Sequence, residues 1–149
     1  MAAATKVRTS RVASELASVL RPSLLRLTRL IRNQRVDLSV SLTQISAMGT
    51  LRKRGPMSAG ELAACEKVQP PSMTKVIAHL EERGLVRRDV HPTDKRQAII
   101  TVTPAGVALL ESERRSRDAW LSRRLAELTD QERDLLRSVV PILDKLAEH

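Results

Sequence analysis

Two short β-rich runs lie close together in a chain whose other periodic segments are helical. Residues 85–90 read LVRRDV, residues 97–103 read QAIITVT, and the polar segment HPTDKR at 91–96 separates them. Alternating and β-branched residues on both sides of a polar turn predict a β-hairpin. Gly84 precedes the first run and predicts the end of a helix. The hairpin therefore follows a helix directly.

Apolar residues at helical spacing predict six helices around this hairpin. They cover residues 12–34, 42–53, 59–67, 69–83, 104–128 and 130–147. A serine or threonine three residues before a glutamate marks two of these starts as capping boxes, at Ser58 and Thr129. Pro22 predicts a kink or a false start in the first helix, and Pro141 predicts a bend in the last. Residues 1–11 are expected to be a flexible N-terminal arm.

Helices with broad apolar faces occur at both ends of the chain. In the last helix the face consists of Leu135, Leu136, Val139, Val140, Leu143 and Leu146. The segment ESERRSRD at 111–118 is polar on every side, as in helices that cross solvent between two packed bodies. We therefore expect a single domain over 12–149 with dimerisation helices at about 12–34 and 105–147, because a two-fold homodimer would cover the apolar faces.

The charge distribution favours a polyanionic partner, since the formal net charge is +9. Residues 1–54 carry 11 Lys and Arg against 2 Asp and Glu, so the basic excess is N-terminal. Nucleic-acid binding by the middle of the chain would therefore depend on local geometry. Aromatic residues make up 1% of the chain, which argues against proteins that stack bases of single strands on aromatic rings.

Other classes of protein find no support in the sequence. No apolar run is long enough to span a membrane and the N-terminus lacks a signal-peptide core, so a cytoplasmic protein without membrane contact is expected. Cys65 is the single cysteine, and we expect it in a buried structural position. His79 and His91 have no partners at metal-ligand spacing, so we expect His79 to be solvated or to face phosphate and His91 to be a turn residue. Without a nucleophile–base pair or a phosphate-binding glycine loop, we expect no enzyme activity, cofactor or metal.

The segment QPPSMTKVIAHL at 69–80 opens a helix with two prolines. The first turn of a helix has no intrahelical use for its N–H groups, so Pro70 and Pro71 fit as the first two helical residues if Gln69 is the cap. The core side of this helix consists of Met73, Val76, Ile77 and Leu80. The other sides offer Pro71, Ser72, Thr74, Lys75, Ala78 and His79.

Two short helices, this third helix and a hairpin form the layout of a winged helix-turn-helix. In such units the second helix of the turn enters the major groove of DNA, so we call the helix at 69–83 the reading helix. The alternative for its outer face is a plain solvated surface. The predicted fold is mainly α with a small β-hairpin: a winged helix-turn-helix plus a helical dimerisation region.

Several motifs between residues 61 and 106 match one known pattern. They are Leu62-Ala63, Thr74 followed by a basic residue, LEERGLVRR at 80–88, and DKRQAIITVTPAG at 94–106 with its Asp-x-Arg wing and Thr-x-x-Gly. This third of the chain resembles the MarR family of bacterial transcriptional regulators. The family often has Leu and Gly near positions 66 and 67, where this chain has Glu66 and Lys67, so the turn there is expected to differ locally.

The resemblance implies a DNA-binding lobe at about residues 40–103. Arg96 would insert into or flank the minor groove at the wing tip, Asp94 would pair with the Arg96 side chain and hold it, and Lys95 would contact phosphate. The alternative for this pair is a structural salt bridge within the turn. Ser58 would either present backbone N–H groups to phosphate or serve as a cap alone. The implied contacts of the reading helix are Pro70, Pro71, Ser72, Thr74, Lys75 and His79.

The resemblance also implies a function. Family members are mostly repressors that bind pseudo-palindromic double-stranded DNA as homodimers, and many release it on binding a small effector, often phenolic or anionic. The sequence identifies no effector-binding residues. One alternative is a sequence-tolerant, nucleoid-type DNA-binding protein that uses the basic N-terminal segment as a clamp. Another is a winged helix that binds protein and has no DNA role.

Overall fold

The computed structural model describes the backbone of residues 2–148 and the side chains of residues 11–148. This part of the chain forms six helices and three strands: α1 (Ala2–Arg32), α2 (Leu42–Arg54), β1 (Met57–Ser58), α3 (Ala59–Glu66), α4 (Pro70–Glu82), β2 (Val86–Val90), β3 (Ala98–Val102), α5 (Pro104–Ala126) and α6 (Asp130–Ala147). They divide between two compact units. One unit is Arg35–Ser116, and the other joins the residues up to Gln34 with those from Arg117 onward.

The unit Arg35–Ser116 contains a hydrophobic core built from one face of each short helix. Met73, Ile77 and Leu80 on α4 are fully buried, as their helical spacing predicted, and Val76 packs against them half-buried. The remaining core residues are Val40, Ile45, Ala47, Met48, Leu51, Met57, Leu62, Ala63, Leu85, Val86 and Ile100. This core fixes one side of α4 and leaves the other side free to face a ligand.

The sheet has one strand more than the sequence predicted. The hairpin of β2 and β3 is confirmed, with Val86 opposite Val102 and Val90 opposite Ala98. The third strand, β1, pairs antiparallel with β3 and gives the strand order β1-β3-β2. Two residues are too few to show a strand period, so no sequence pattern indicates β1. Its pairing places Ser58, and with it the start of α3, opposite Ile99 in the wing.

Reciprocal capping boxes begin three of the helices. Both predicted boxes are confirmed, at Ser58 and at Thr129, and Ser41 forms a third with Gln44. The backbone N–H of Ser58 donates to Glu61, and this hydrogen bond lowers the pKa of the Glu61 carboxyl. Such boxes satisfy N–H groups that have no partner within the helix, which fixes where each helix begins.

The unit formed by the two chain ends consists of α1, the last part of α5 and α6. The first helix begins at Ala2, so the residues expected to form a flexible arm continue the helix backbone. Three consecutive alanines explain the difference, because alanine favours helix without contributing an apolar stripe. The helix is continuous through Pro22. Across the described residues, no helix is long and apolar enough to cross a membrane.

The apolar faces of this unit are exposed. No residue of α6 between Asp130 and Ala147 is buried. Large apolar side chains that remain exposed in the two helices are Val12, Leu16, Val19, Leu24, Leu25, Leu27 and Leu30 in α1, and Leu135, Leu136, Val140, Ile142 and Leu146 in α6. An apolar surface of this extent is typical of a protein–protein interface.

The segment 111–118 in α5 was expected to cross solvent, but one of its charged residues is buried. Glu113 has 1% of its surface exposed and accepts hydrogen bonds from the backbone N–H groups of Val36 and Asp37, in the loop before α2. A charged residue on a polar helix predicts exposure, and only tertiary contacts reveal that this carboxylate is enclosed.

Candidate nucleic-acid interface

The reading helix, α4, begins as the proline pair predicted. Gln69 is the N-cap and makes no side-chain capping bond, and Pro70 and Pro71 occupy the first two helical positions. The N–H of Met73 donates to the carbonyl oxygen of Gln69 at 3.0 Å, so the first intrahelical bond forms just after the prolines. The two rings fix the start of the helix without the loss of any hydrogen bond.

The outer face of α4 is exposed over its first turns. Pro70, Pro71, Ser72, Thr74 and Lys75 are all exposed. The hydroxyl of Thr74 donates to the carbonyl oxygen of Pro70 at 3.0 Å. Its hydrogen is therefore engaged within the helix, and Thr74 presents its methyl group and acceptor lone pairs to a ligand.

His79 lies differently from its prediction as a solvated or phosphate-facing residue. Its side chain is half-buried, and its Nε2 atom is buried without a hydrogen-bond partner among the described residues. The position follows from helix geometry. His79 lies two residues after the buried Ile77 and one before the buried Leu80, at the border of the core face.

The turn between α3 and α4 depends on a left-handed residue. Lys67 has φ 52° and ψ 40°, and its N–H donates to the carbonyl oxygens of Ala63 and Ala64. A non-glycine residue in this conformation costs about 1–2 kcal/mol. The family often has glycine near this position, and the left-handed conformation seen here is one that glycine adopts readily. Lys67 therefore changes the residue but keeps the left-handed C-cap of α3.

The wing tip is shaped by Asp94, which is half-buried, and exposes Lys95 and Arg96. The Asp94 carboxylate accepts a hydrogen bond from the backbone N–H of Arg96 at 3.0 Å and another from the Gln97 amide at 3.3 Å. The predicted side-chain pair with the Arg96 guanidinium is therefore wrong for this structure. A short Asp side chain in a turn reaches the backbone N–H two residues onward, so Asp94 fixes the loop that carries Arg96.

The other side of the wing turn is held by His91. Its Nδ1 accepts hydrogen bonds from the backbone N–H groups of Thr93 at 3.2 Å and Asp94 at 3.1 Å. Both backbone groups can only donate, so the ring nitrogen acts as the acceptor in this turn. The prediction that His91 is a turn residue is confirmed. Its side chain stabilises the turn by accepting these two backbone hydrogen bonds.

Two ion pairs fix the wing strands. Arg88 on β2 pairs with Glu81 near the end of α4 at 2.8 Å, which ties the wing to the reading helix. Arg87 pairs with Asp89 at 2.9 Å, and this pairing, with a hydrogen bond from Thr101, lowers the pKa of the Asp89 carboxyl. No sequence motif pointed to a pairing role for Arg88. The available signal was its position, because a basic residue on a short strand follows a helix that ends in two glutamates.

A surface groove of about 500 Å³ lies between the start of α3 and the wing. It is lined by Ser58, Ala59, Gly60, Arg88, Gln97 and Ala98. Small residues at the first helical positions leave the backbone accessible, and helix N-termini favour anions. The Ser58 hydroxyl accepts a hydrogen bond from the Glu61 N–H as the cap, and the backbone N–H groups that follow Ser58 are candidates for contact with phosphate.

Cys65 lies in α3 at the edge of the core. Cys65 is half-buried against the core, and the Arg54 guanidinium donates to its sulfur at 3.2 Å. No group of three or more His, Cys, Asp or Glu residues is arranged to hold a metal ion within the described part of the chain.

Three helices, the third with a free outer face, and a β-wing beside it make this unit a winged helix-turn-helix. The MarR family model matches residues 40–98. The chain is 44% identical over 135 residues to the HTH-type transcriptional regulator MT0903.1 of Mycobacterium tuberculosis, an alignment that covers 91% of this chain and 94% of the relative. It is 29% identical over 101 residues to the transcriptional repressor NicR of Pseudomonas putida, covering 68% of this chain and 64% of NicR.

Solved structures agree with this assignment. A putative transcriptional regulator from Pseudomonas aeruginosa superposes with a TM-score of 0.80 at 29% identity, covering 92% of this chain and 96% of that one. The chain belongs to the MarR family, and it is a DNA-binding transcriptional regulator of the winged helix-turn-helix type.

Proposed function

We propose that this protein is a homodimeric repressor that binds a pseudo-palindromic operator and releases it when a small effector binds. One observation carries the proposal: the exposed first turns of α4 lie in the same unit as a wing tip that exposes Lys95 and Arg96. A helix enters the major groove while an arginine-bearing wing reaches the adjacent minor groove, so this pair of surfaces can read one half-site.

The proposed contacts fall into three groups. Ser72 and Lys75 contact base edges or phosphates, and Thr74 contacts a base edge through its methyl group or its acceptor lone pairs. Pro70 and Pro71 are apolar contacts at the groove floor. Lys95 contacts phosphate, and Arg96 enters the minor groove from a loop that Asp94 fixes. The first backbone N–H groups of α3, after Ser58, contact phosphates of the DNA backbone. We omit His79 from the contacts because its Nε2 is buried.

The exposed apolar faces of α1 and α6 support the dimer. A surface of this kind, on helices whose described side chains from residue 11 onward include none that is buried, needs a partner, and a second copy supplies one with two-fold symmetry. Two copies would place two reading helices about one turn of DNA apart, which is why a pseudo-palindromic operator is expected. The likeness to NicR, named as a repressor, supports the repressor role.

The effector would act by shifting the dimer to a half-site spacing that no longer fits the operator. We propose a small phenolic or anionic molecule. The 1% aromatic content leaves little for stacking, so large planar molecules are disfavoured.

The experiment that tests the proposal is selection of bound duplexes from a random pool, followed by competition of the selected site against bulk DNA. A specific repressor prefers its site by about 10³-fold or more. A flat ratio would instead support the nucleoid-type alternative, and no DNA binding at all would support a protein-interaction module. A screen for small molecules that release the selected DNA then tests the effector.

A further inference from the structure

The loop before α2, residues 35–41, is held by contacts that the reading of DNA does not explain. On one side it is fixed to α5. The Glu113 Oε1 atom accepts hydrogen bonds from the backbone N–H groups of Val36 and Asp37, both at 3.1 Å. Glu113 also pairs with Arg35 at 3.3 Å, and only 1% and 9% of these two side chains are exposed. The buried Val40 fixes the end of the loop in the core.

On its other side the same loop contacts the end of the reading helix. Asp37 pairs with Arg83 at 2.7 Å between Oδ2 and Nη2, and Arg83 also donates to the hydroxyl of Ser39. Arg83 is the C-cap residue of α4. Ser39 in turn donates to Asp37 through both its backbone N–H and its hydroxyl, which orients the carboxylate.

These contacts form one continuous connection from α5 to α4. Glu113 sets the backbone at Asp37, and the Asp37 carboxylate holds the guanidinium at the end of α4. The start of α4 is fixed separately, by the proline pair and the turn at Lys67. The buried core side chains and the Arg88–Glu81 pair also hold α4, and the Asp37–Arg83 contact adds a constraint on the angle at the C-terminal end of the helix.

We propose that Asp37 is a positioning residue for DNA reading: through Arg83 it holds the C-terminal end of α4 at the angle that the operator requires, and Glu113 holds Asp37. This inference rests on the proposed reading role of α4. The residue needs no contact with DNA, and its negative charge is unfavourable for a DNA-binding surface.

The negative charge of Asp37 allows the positioning role to be tested against a purely electrostatic effect. Asp37→Asn removes one negative charge from the DNA-binding unit, so electrostatics alone predicts unchanged or tighter binding to every duplex. Positioning predicts the opposite for the operator: affinity falls about 5–10-fold, while affinity for random duplex is unchanged or rises slightly. Binding is measured at one salt concentration, below the unfolding temperature of each variant, with the selected operator and a scrambled duplex.

The matched control is Glu111→Gln. Glu111 is also on α5 and pairs with Arg52 at 2.7 Å, so this change removes the same charge and one ion pair without contact to α4. It is expected to leave operator preference unchanged. Asp37→Glu, which keeps the charge, is expected to recover part of the lost preference.

The outcomes separate cleanly. If Asp37→Asn binds the operator as tightly as the wild type or tighter, the positioning role is overturned and the loop contacts serve stability alone. Equal loss of preference with Glu111→Gln would also overturn it. If the wild type itself shows no preference for a selected site, the proposed function fails instead, and the comparison of variants does not arise.

Discussion

Gly106 lies directly against the backbone of Leu85. A Cβ atom at Gly106 would approach the Leu85 carbonyl oxygen to 2.2 Å and the Val102 Cγ2 atom to 2.7 Å. The same carbonyl accepts a hydrogen bond from Thr103 N–H at 3.0 Å, and the Thr103 hydroxyl accepts one from Gly106 N–H at 3.2 Å. The Thr-x-x-Gly motif therefore joins the start of α5 to the wing, with a structural rather than a DNA-contacting role.

We therefore expect Gly106→Ala to destabilise the protein by about 3 kcal/mol, because the atoms that must move include backbone. Urea denaturation measures the change. The control is Gly49→Ala in α2, where an added Cβ meets nothing within 4 Å. Alanine favours helix there by up to ~1 kcal/mol, so the control is expected to be neutral or stabilising. Equal effects of the two changes would contradict the close approach at Gly106.

Glu113→Gln is expected to lower the free energy of unfolding by about 3 kcal/mol. The change leaves the Arg35 guanidinium, 9% exposed, without its buried counter-charge. Chemical denaturation of the variant measures the loss. Glu111→Gln is the exposed comparison, since its pair with Arg52 is over 40% exposed on both sides and contributes at most ~1 kcal/mol. A smaller loss for Glu113→Gln than for Glu111→Gln would rule out a stabilising buried pair.

Acid is expected to weaken the loop at Asp37. Hydrogen bonds from the Ser39 hydroxyl and then from Arg83 lower the pKa of Asp37 to about 2, from an ordinary value of 3.8. The unfolded chain thus binds this proton more readily, so the stabilisation is present above about pH 4 and is lost as the pH falls towards 2. After solvent screening we expect a contribution of about 1 kcal/mol.

The measurement is the difference in unfolding free energy between the wild type and Asp37→Asn as a function of pH. The difference should be largest at neutral pH and shrink between about pH 4 and 2. A difference that does not change over that range would show that the Asp37 carboxylate contributes nothing as a charged group.

Lys75→Ala and Arg96→Ala are each expected to reduce operator affinity by about 10–100-fold, since a base or minor-groove contact is worth about 1–3 kcal/mol. Fluorescence anisotropy measures the affinity over a range of salt concentrations. Each lost phosphate contact lowers the slope of the logarithm of the binding constant against the logarithm of the salt concentration by about 1. Lys145→Ala in α6 removes the same charge far along the sequence from α4 and the wing and is the control. If neither Lys75→Ala nor Arg96→Ala changes DNA binding, the assignment of α4 and the wing as the DNA-binding surfaces is wrong.

Leu136→Glu is expected to weaken the dimer at least about 30-fold, because it places a charge within the exposed apolar face of α6. Sedimentation equilibrium measures the dissociation constant. Leu38→Glu is the matched control, since Leu38 is 84% exposed and belongs to the other unit. A wild type that is monomeric at micromolar concentration, or a variant that dimerises as well as the wild type, would argue against this face as the interface.

Local sequence patterns predicted most of the DNA-binding unit. The proline pair, the capping box at Ser58 and the stop at Gly84 act over three or four residues, and each is present in the structure. The wrong predictions within this unit concern the surroundings of single side chains, and Glu113 is buried although its segment was expected to cross solvent. Asp94 bonds to the Arg96 backbone and not to its guanidinium, and His79 turns its Nε2 towards buried surroundings, because those choices depend on neighbours that no spacing rule specifies.

The sequence by itself determined most of the helical segments and the hairpin, where most of them end, and which face of α4 is core, since hydrophobic period, caps and turn residues are local properties. The structure alone decided what joins these elements. Residues 57–58 become a strand only because β3 is beside them, and Glu113 reaches a loop 76 residues away in sequence. Burial and pairing over such separations depend on how the whole chain packs, so the connection from α5 to the end of the reading helix is a product of tertiary structure.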